Sequence, residues 1–272
     1  MLAIFAAAAL TLSPAEVRAC VGASVDMTWT AIAEEKAKIS SAAWDETCHQ
    51  VRAANARRLS VARVIRETGV SPVGSFTASQ RWVGLRRTAS TPETAELFRL
   101  ITEDQLARES LSAKKTPITA GLSPLAARIY DFVAARAAID ADAASRAWLR
   151  TTVARRGWFT ISRDGAEADK AAQLIVQHAD QDVAFKGEMI ALLEPLVEAG
   201  DSDRAFFPYM YDRWAAQAGK PLRFGFQGAC KSKGVWEPLS IEDPERLDER
   251  RRRFGVKRSF AEEKNLNGAR CT

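Results

Sequence analysis

Residues 171–182 read AAQLIVQHADQD, and within them Ala171, Leu174, Ile175 and His178 fall at i, i+3, i+4 and i+7. At 3.6 residues per turn those positions return to one face, so the stretch predicts an amphipathic helix whose inward stripe ends in a histidine. Asp180 or Asp182 is then placed to cap a second helix, since a carboxylate accepts from the unpaired N–H groups of a first turn. Phe185, Met189, Leu192, Leu193 and Leu196 give that second helix one apolar face. The same period recurs through most of the chain, while runs of Val, Ile, Thr and Tyr are scarce and glycine is modest at 15. The expected fold class is therefore all-α: a helical N-terminal segment and a larger α-helical domain, with little or no sheet. With 272 residues, 47% of them hydrophobic, the chain can bury a substantial core.

Residues 2–12 (LAIFAAAALTL) form an apolar run of signal-peptide length, too short to span a bilayer as a helix. The small-residue site Val17-Arg18-Ala19 precedes Cys20, so residues 1–19 are expected to be a signal peptide cleaved after Ala19. No Lys or Arg precedes the run, and the natural start is expected upstream. The alternative is a lipoprotein acylated at Cys20, which Arg18 fits poorly. The expected location is periplasmic or secreted, with no transmembrane helix once the signal is removed. In an oxidising compartment the even count of cysteines, Cys20, Cys48, Cys230 and Cys271, reads as two disulfides. Three pairings are possible, and proximity favours Cys20 with Cys48 and Cys230 with Cys271. There is no CxxC, CxxCH or HExxH, and the two histidines, His49 and His178, predict no dedicated zinc site. No cofactor is expected.

The segments follow from local pattern. Residues 20–68 read as a long helix or helical hairpin, with Trp29, Ile32, Ile39, Trp44, Cys48 and Val51 inward and Arg52, Arg57, Arg58, Arg63 and Arg66 making its second half basic. Those arginines are either a solvated face or a surface for an anionic partner; the net charge of +5 permits such a partner without requiring one. Residues 69–93 read as a linker by their Gly, Pro, Ser and Thr, with Trp82 packing against something. Residues 94–260 read as the larger helical domain, and 261–272 as a tail. Asp104 and Arg108 stand four apart, the spacing of a helical ion pair of about 0.3–0.5 kcal/mol. Residues 219–234 read as glycine-rich loop, but neither GxGxxG nor GxxxxGK[ST] is present, and there is no clear nucleic-acid motif. Ser112 and Lys115 make a serine-x-x-lysine match without the other elements of that site, and GxSxG is absent. Asp243 before Pro244 reads as a helix N-cap, with acids early and Arg250 to Arg253 late, in accord with the helix dipole.

Several motifs in this order resemble the bacterial family described as domain of unknown function 6624. They are Glu103-Asp104-Gln105 with Arg108, Gly157-Trp158-Phe159-Thr160, Gln177-His178-Ala179-Asp180 with Asp182 and Phe185, Tyr211-Asp212-Arg213, Gly225-Phe226-Gln227, and Ile241-Glu242-Asp243-Pro244 with Arg250, Arg251, Gly255 and Val256. The resemblance covers about residues 96–256. The chain departs from it at Phe159, where the family has proline, and at Phe224 and Phe226, where it has tyrosine and threonine nearby. The resemblance names no reaction. It implies that Asp104, Gln105, Arg108, His178, Asp182, Asp212, Arg213 and Gln227 form a recurring polar set.

The expected function is an exported protein with a polar pocket for a small anionic or peptide-like ligand, which it hydrolyses or only binds. His178 would be the general base, oriented by Asp182 or Asp104. Gln105, Arg108, Asp212, Arg213 and Gln227 would hold the ligand, the guanidiniums making paired bonds to a carboxylate. The alternative is a non-enzymatic cell-envelope interaction module, in which the polar set is a structural network and the basic helix meets the partner.

Overall fold

The protein is described here by a computed structural model, for residues 12–21, 30–111 and 117–272. The apolar run up to residue 11, and Trp29, Ser112 and Lys115, lie outside the described residues. Among the described residues the structure is predominantly helical, with one two-stranded hairpin and one 3-10 turn, as the all-α reading expects. Among the described residues no helix is long and apolar enough to cross a membrane.

The chain divides into two units: Met1–Arg87 with Thr102–Ala141, and Thr88–Ile101 with Asp142–Thr272. The first unit contains α1 (Pro14–Val21), α2 (Thr30–Lys36), α3 (Ser41–Thr68) and α4 (Thr77–Arg87), the C-terminal half of α5 (Pro92–Leu111) and the N-terminal half of α6 (Pro124–Arg156). Helix α3 begins where Ser40 Oγ accepts from Ala43 N at 3.2 Å, and ends at Gly69, whose φ of 76° is open to a residue without Cβ. Ile32, Cys48 and Val51 are buried as the sequence predicts, but Ile39 is exposed. The Cys20–Cys48 disulfide joins α1 to α3 beside Val17, Val21 and Val51.

Most of the basic stripe on α3 is used internally. Arg52 donates to the Ala19 carbonyl at 2.9 Å, Arg58 to Asn55 Oδ1, and Arg66 makes two bonds, 2.7 and 2.6 Å, to Glu103. Residues 69–93, predicted to lack helical structure, contain α4. Its first N–H groups, Ala78 and Ser79, are held by the Glu109 carboxylate at 3.0 and 3.1 Å, and Trp82 is buried. A cap supplied from thirty residues away leaves no trace in local composition.

The second unit contains the N-terminal half of α5, the C-terminal half of α6, then α7 (Ile161–Asp164), α8 (Ala166–His178), α9 (Val183–Ala199), α10 (Phe207–Gln217), β1 (Gly228–Ser232), β2 (Val235–Pro238), a 3-10 turn at Pro244–Arg246, α11 (Leu247–Arg253) and α12 (Phe260–Gly268). The region predicted as plain loop thus holds an antiparallel strand, with Cys230 opposite Trp236. The Cys230–Cys271 disulfide fixes this hairpin to the chain end after α12. Asp243 does not cap: it takes a left-handed φ of 43° and makes no side-chain cap bond. Arg250 instead donates to the carbonyls of Arg223 and Asp243, both at 3.0 Å.

Two buried side chains hold this unit together. Asp169 accepts from Trp158 Nε1 (2.8 Å), Gln173 Nε2 (3.0 Å), Ser202 Oγ (2.6 Å) and Asp203 N (2.7 Å), tying the Gly-Trp-Phe-Thr turn to α8 and to the loop after α9. Arg251, fully buried, donates to the Phe224 and Arg258 carbonyls and to Glu263. A buried charge is tolerated when bonded this fully. Gly187 lets α10 approach α9, since a Cβ there would stand 3.0 Å from Trp214 Nε1.

Candidate functional site at the corner after helix α8

The corner follows from how α8 and α9 bury themselves. Helix α8 buries Ala168, Ala171, Ala172, Ile175 and Val176, a face turned slightly from the predicted stripe, so Leu174 and His178 are half-buried. The helix ends at His178, and Asp180 N returns to the His178 carbonyl at 2.7 Å. Asp182 then caps α9, its Oδ1 accepting from Phe185 N at 2.9 Å, one of the two caps the sequence allows. Helix α9 buries Phe185, Lys186, Met189, Ile190, Leu193 and Val197, leaving Leu192 48% exposed where the sequence predicts it inside. In its place on the inner face stands a lysine.

Lys186 is fully buried, and its ammonium donates to Asp180 Oδ1 and to Gln217 Oε1, the latter at 3.1 Å. Burial outweighs these bonds and the nearby Asp142 carboxylate, and holds the amine below the ordinary lysine value. Asp180 also receives Arg213 through two bonds, Nε at 2.9 Å, and Gln217 Nε2 at 3.1 Å. Burial pushes this carboxyl up, but Arg213 and Lys186 together hold it well below the usual carboxylate range.

Helix α6 supplies the facing groups. Asp142, Ser145 and Arg146 stand at i, i+3 and i+4 on one side of it. A carboxylate oxygen of Asp142 and a ring nitrogen of His178 lie within 4.8 Å of one another. Arg146 Nε lies 3.8 Å from Asp182 Oδ2, and Arg150 lies 3.3 Å from the same oxygen and 3.5 Å from Glu188. The cap bond to Phe185, followed by Arg150 and Arg146, keeps the Asp182 carboxyl below its ordinary value. Three side-chain atoms of this region are buried with no hydrogen-bond partner among the described residues: Arg146 Nη1, Ser145 Oγ and Gln177 Oε1.

Members of the predicted polar set hold different partners. Asp104 is buried in the first unit, where Arg108 Nε and Gln105 Nε2 each donate to it at 2.8 Å. Asp212 and Arg213, predicted to work as a pair, point apart because successive helical residues are turned by about 100°. Arg213 reaches Asp180. Asp212 is fully buried and accepts three backbone N–H groups, Arg223 at 2.9 Å, Phe224 at 3.1 Å and Phe226 at 2.8 Å. Burial drives its carboxyl upward against those three bonds. This aspartate gathers the loop after α10. Gln227 follows that loop, half-buried, its carbonyl accepting Leu239 N at 2.9 Å. Asp182 is held as a cap and by two arginines.

Asp142, Arg146 and Lys186 were not among the predicted site residues. The 142/146 spacing inside an alanine-rich helix was legible, since polar residues at i and i+4 there share a face. A lysine on an apolar helix face reads from sequence as a solvated exception, and only packing reveals it. The fold and the corner together define an α-helical, disulfide-bonded protein with a charge-balanced polar site. Compared with family models, curated proteins and solved structures, the chain matches none.

Proposed function

We propose that the corner after α8 binds a small peptide-like ligand and that His178, oriented by Asp142, moves a proton in its hydrolysis. The observation that carries this reading is Arg146. Its Nη1 is buried without a partner, one helical turn after Asp142, whose carboxylate lies within 4.8 Å of the His178 imidazole. Leaving a buried donor unpaired costs about 1–3 kcal/mol, an expense retained where a ligand supplies the missing acceptor. A carboxylate near an imidazole can fix which ring nitrogen carries the proton, the arrangement general-base chemistry uses.

Charge narrows the ligand. Arg146, Arg150, Lys186 and Arg213 are matched by Asp142, Asp180, Asp182 and Glu188, so the corner has no large surplus of either sign. A neutral amide or a single carboxylate suits it better than a phosphate dianion. Two disulfides fit an oxidising compartment, and a periplasmic or secreted location is part of the proposal. So is membership of the domain-of-unknown-function family that the motifs resemble. The envelope-module alternative has less of the basic helix to draw on, because Arg52, Arg58 and Arg66 are bonded within their own unit.

Thermal unfolding of wild type, Arg146→Gln and His178→Gln with N-acetyl-alanyl-alanine tests the proposal. An upward shift in wild type that Arg146→Gln abolishes, with dipeptide cleavage lost in His178→Gln, is the expected result. No shift across acetylated dipeptides and acetate would defeat it. Asp142 and His178 are also donors of the kind divalent cations take, so zinc chloride forms a separate arm; a shift there alone would reassign the pair to a cation.

A further inference from the structure

A second recess lies in the same unit, between the last turn of α9, the loop that follows, and the end of α11. It encloses about 200 Å³ and is lined by Val197, Glu198, Arg204, Arg253 and Phe254. Val197 and Phe254 form its apolar floor. Val197 is fully buried, and Phe254 is 8% exposed and packed between Phe207 and Phe224, with ring centroids at 5.6 and 5.1 Å. Its rim is charged: Arg253 donates to Glu198 Oε1 at 2.6 Å, and Arg204 has no ion pair or hydrogen bond among the described residues.

We propose that this recess is a binding site for a small free α-amino acid with an apolar side chain. Size sets the first limit, because about 200 Å³ is below the roughly 300–1,000 Å³ of sites for larger ligands. Charge sets the second. Two guanidiniums against one carboxylate leave a surplus positive charge, and a guanidinium takes a carboxylate through paired bonds. Glu198 repels a dianion, yet offers an acceptor to an ammonium group. Helix α9 ends at this wall, so its C-terminal partial negative charge also favours a cation there. Carboxylate and ammonium are therefore wanted a short distance apart, as on one α-carbon, with an apolar side chain over Phe254. The existing Arg253–Glu198 pair is exposed and weak enough to open for a ligand.

Calorimetric titration of the full chain with L-valine tests this, with valine amide and N-acetylvaline as probes lacking one charge each. Saturable binding of valine, at least tenfold tighter than either probe, is expected, and Arg204→Gln and Glu198→Gln should each weaken it at least tenfold. Both side chains are exposed, so unfolding midpoints of the variants should match wild type, which separates lost binding from lost fold. Absence of saturable valine binding would overturn the proposal. So would equal binding of the two probes, or variants that bind valine as wild type does.

Discussion

Asp212 offers the sharpest test of how the polar set is divided between structure and chemistry. Its Oδ1 accepts Arg223 N and Phe224 N, and its Oδ2 accepts Phe226 N. Asp212→Ala removes all three acceptors. Phe224 and Phe226 are buried, so their N–H groups cannot find water, whereas Arg223 is half-buried and can in part. At about 1–3 kcal/mol for each stranded buried donor, and less for Arg223, the gross cost is roughly 3–7 kcal/mol. Removing a charge whose burial is itself unfavourable returns some of this, leaving about 2–5 kcal/mol. Asp212→Asn should behave differently. If its carbonyl takes the Oδ1 position it keeps two bonds, but its NH2 then faces Phe226 N–H, donor against donor, for about 1–3 kcal/mol. Urea and thermal unfolding of the three proteins is the assay. At roughly 2–4 °C per kcal/mol, Asp212→Ala should melt about 4–20 °C lower, with Asn between it and wild type. If Asp212→Ala fell within about 0.5 kcal/mol of wild type while dipeptide binding disappeared, the structural assignment would be wrong and Asp212 would return to the site.

Two further outcomes follow from the same reasoning. Tyr130 is buried in the first unit with its hydroxyl unpartnered among the described residues, and burial pushes that hydroxyl up to about 12. A raised folded-state pKa means stability is fully present below the unfolded value of about 10 and is lost as pH rises from there towards 12. Tyr130→Phe should therefore be neutral or slightly stabilising at pH 7, and should remove that alkaline loss when denaturant midpoints are compared between pH 8 and 12; a strongly destabilised variant at pH 7 would show that the hydroxyl is bonded. The Cys230–Cys271 bridge closes a separation of 41 residues, for which chain entropy gives about 4 kcal/mol. The double serine variant should lose up to that amount in urea titration, and no loss would mean that α12 holds the hairpin without the bridge.

The helices were legible because burial in this chain is carried by apolar residues at helical spacing, as in α3, α8 and α9. Both disulfides agree with pairing by proximity, each closing one end of the chain. Asp182 as a cap was one of two readings, and geometry selected it. What stayed hidden depends on partners distant in sequence. Helix α4 starts on Glu109, the loop at 223–226 is gathered by Asp212, and Lys186 is buried because Asp180 and Gln217 meet it. Composition describes each segment alone and cannot report such a partner. His178 stood out because histidine is rare here, but Asp142, some thirty-six residues earlier, had nothing local to mark it. The Asp212–Arg213 pairing failed for a geometric reason, since adjacency in a helix separates side chains.

With only two histidines, the chain allows the central claim to be tested by following their imidazole resonances during titration with N-acetyl-alanyl-alanine, using His178→Gln for assignment. The account predicts that the His178 signals move in a saturable way, that those of His49 stay still, and that Arg146→Gln suppresses the movement. Still signals from His178 across the titration, or equal movement of both histidines, would contradict a ligand site at the corner after α8.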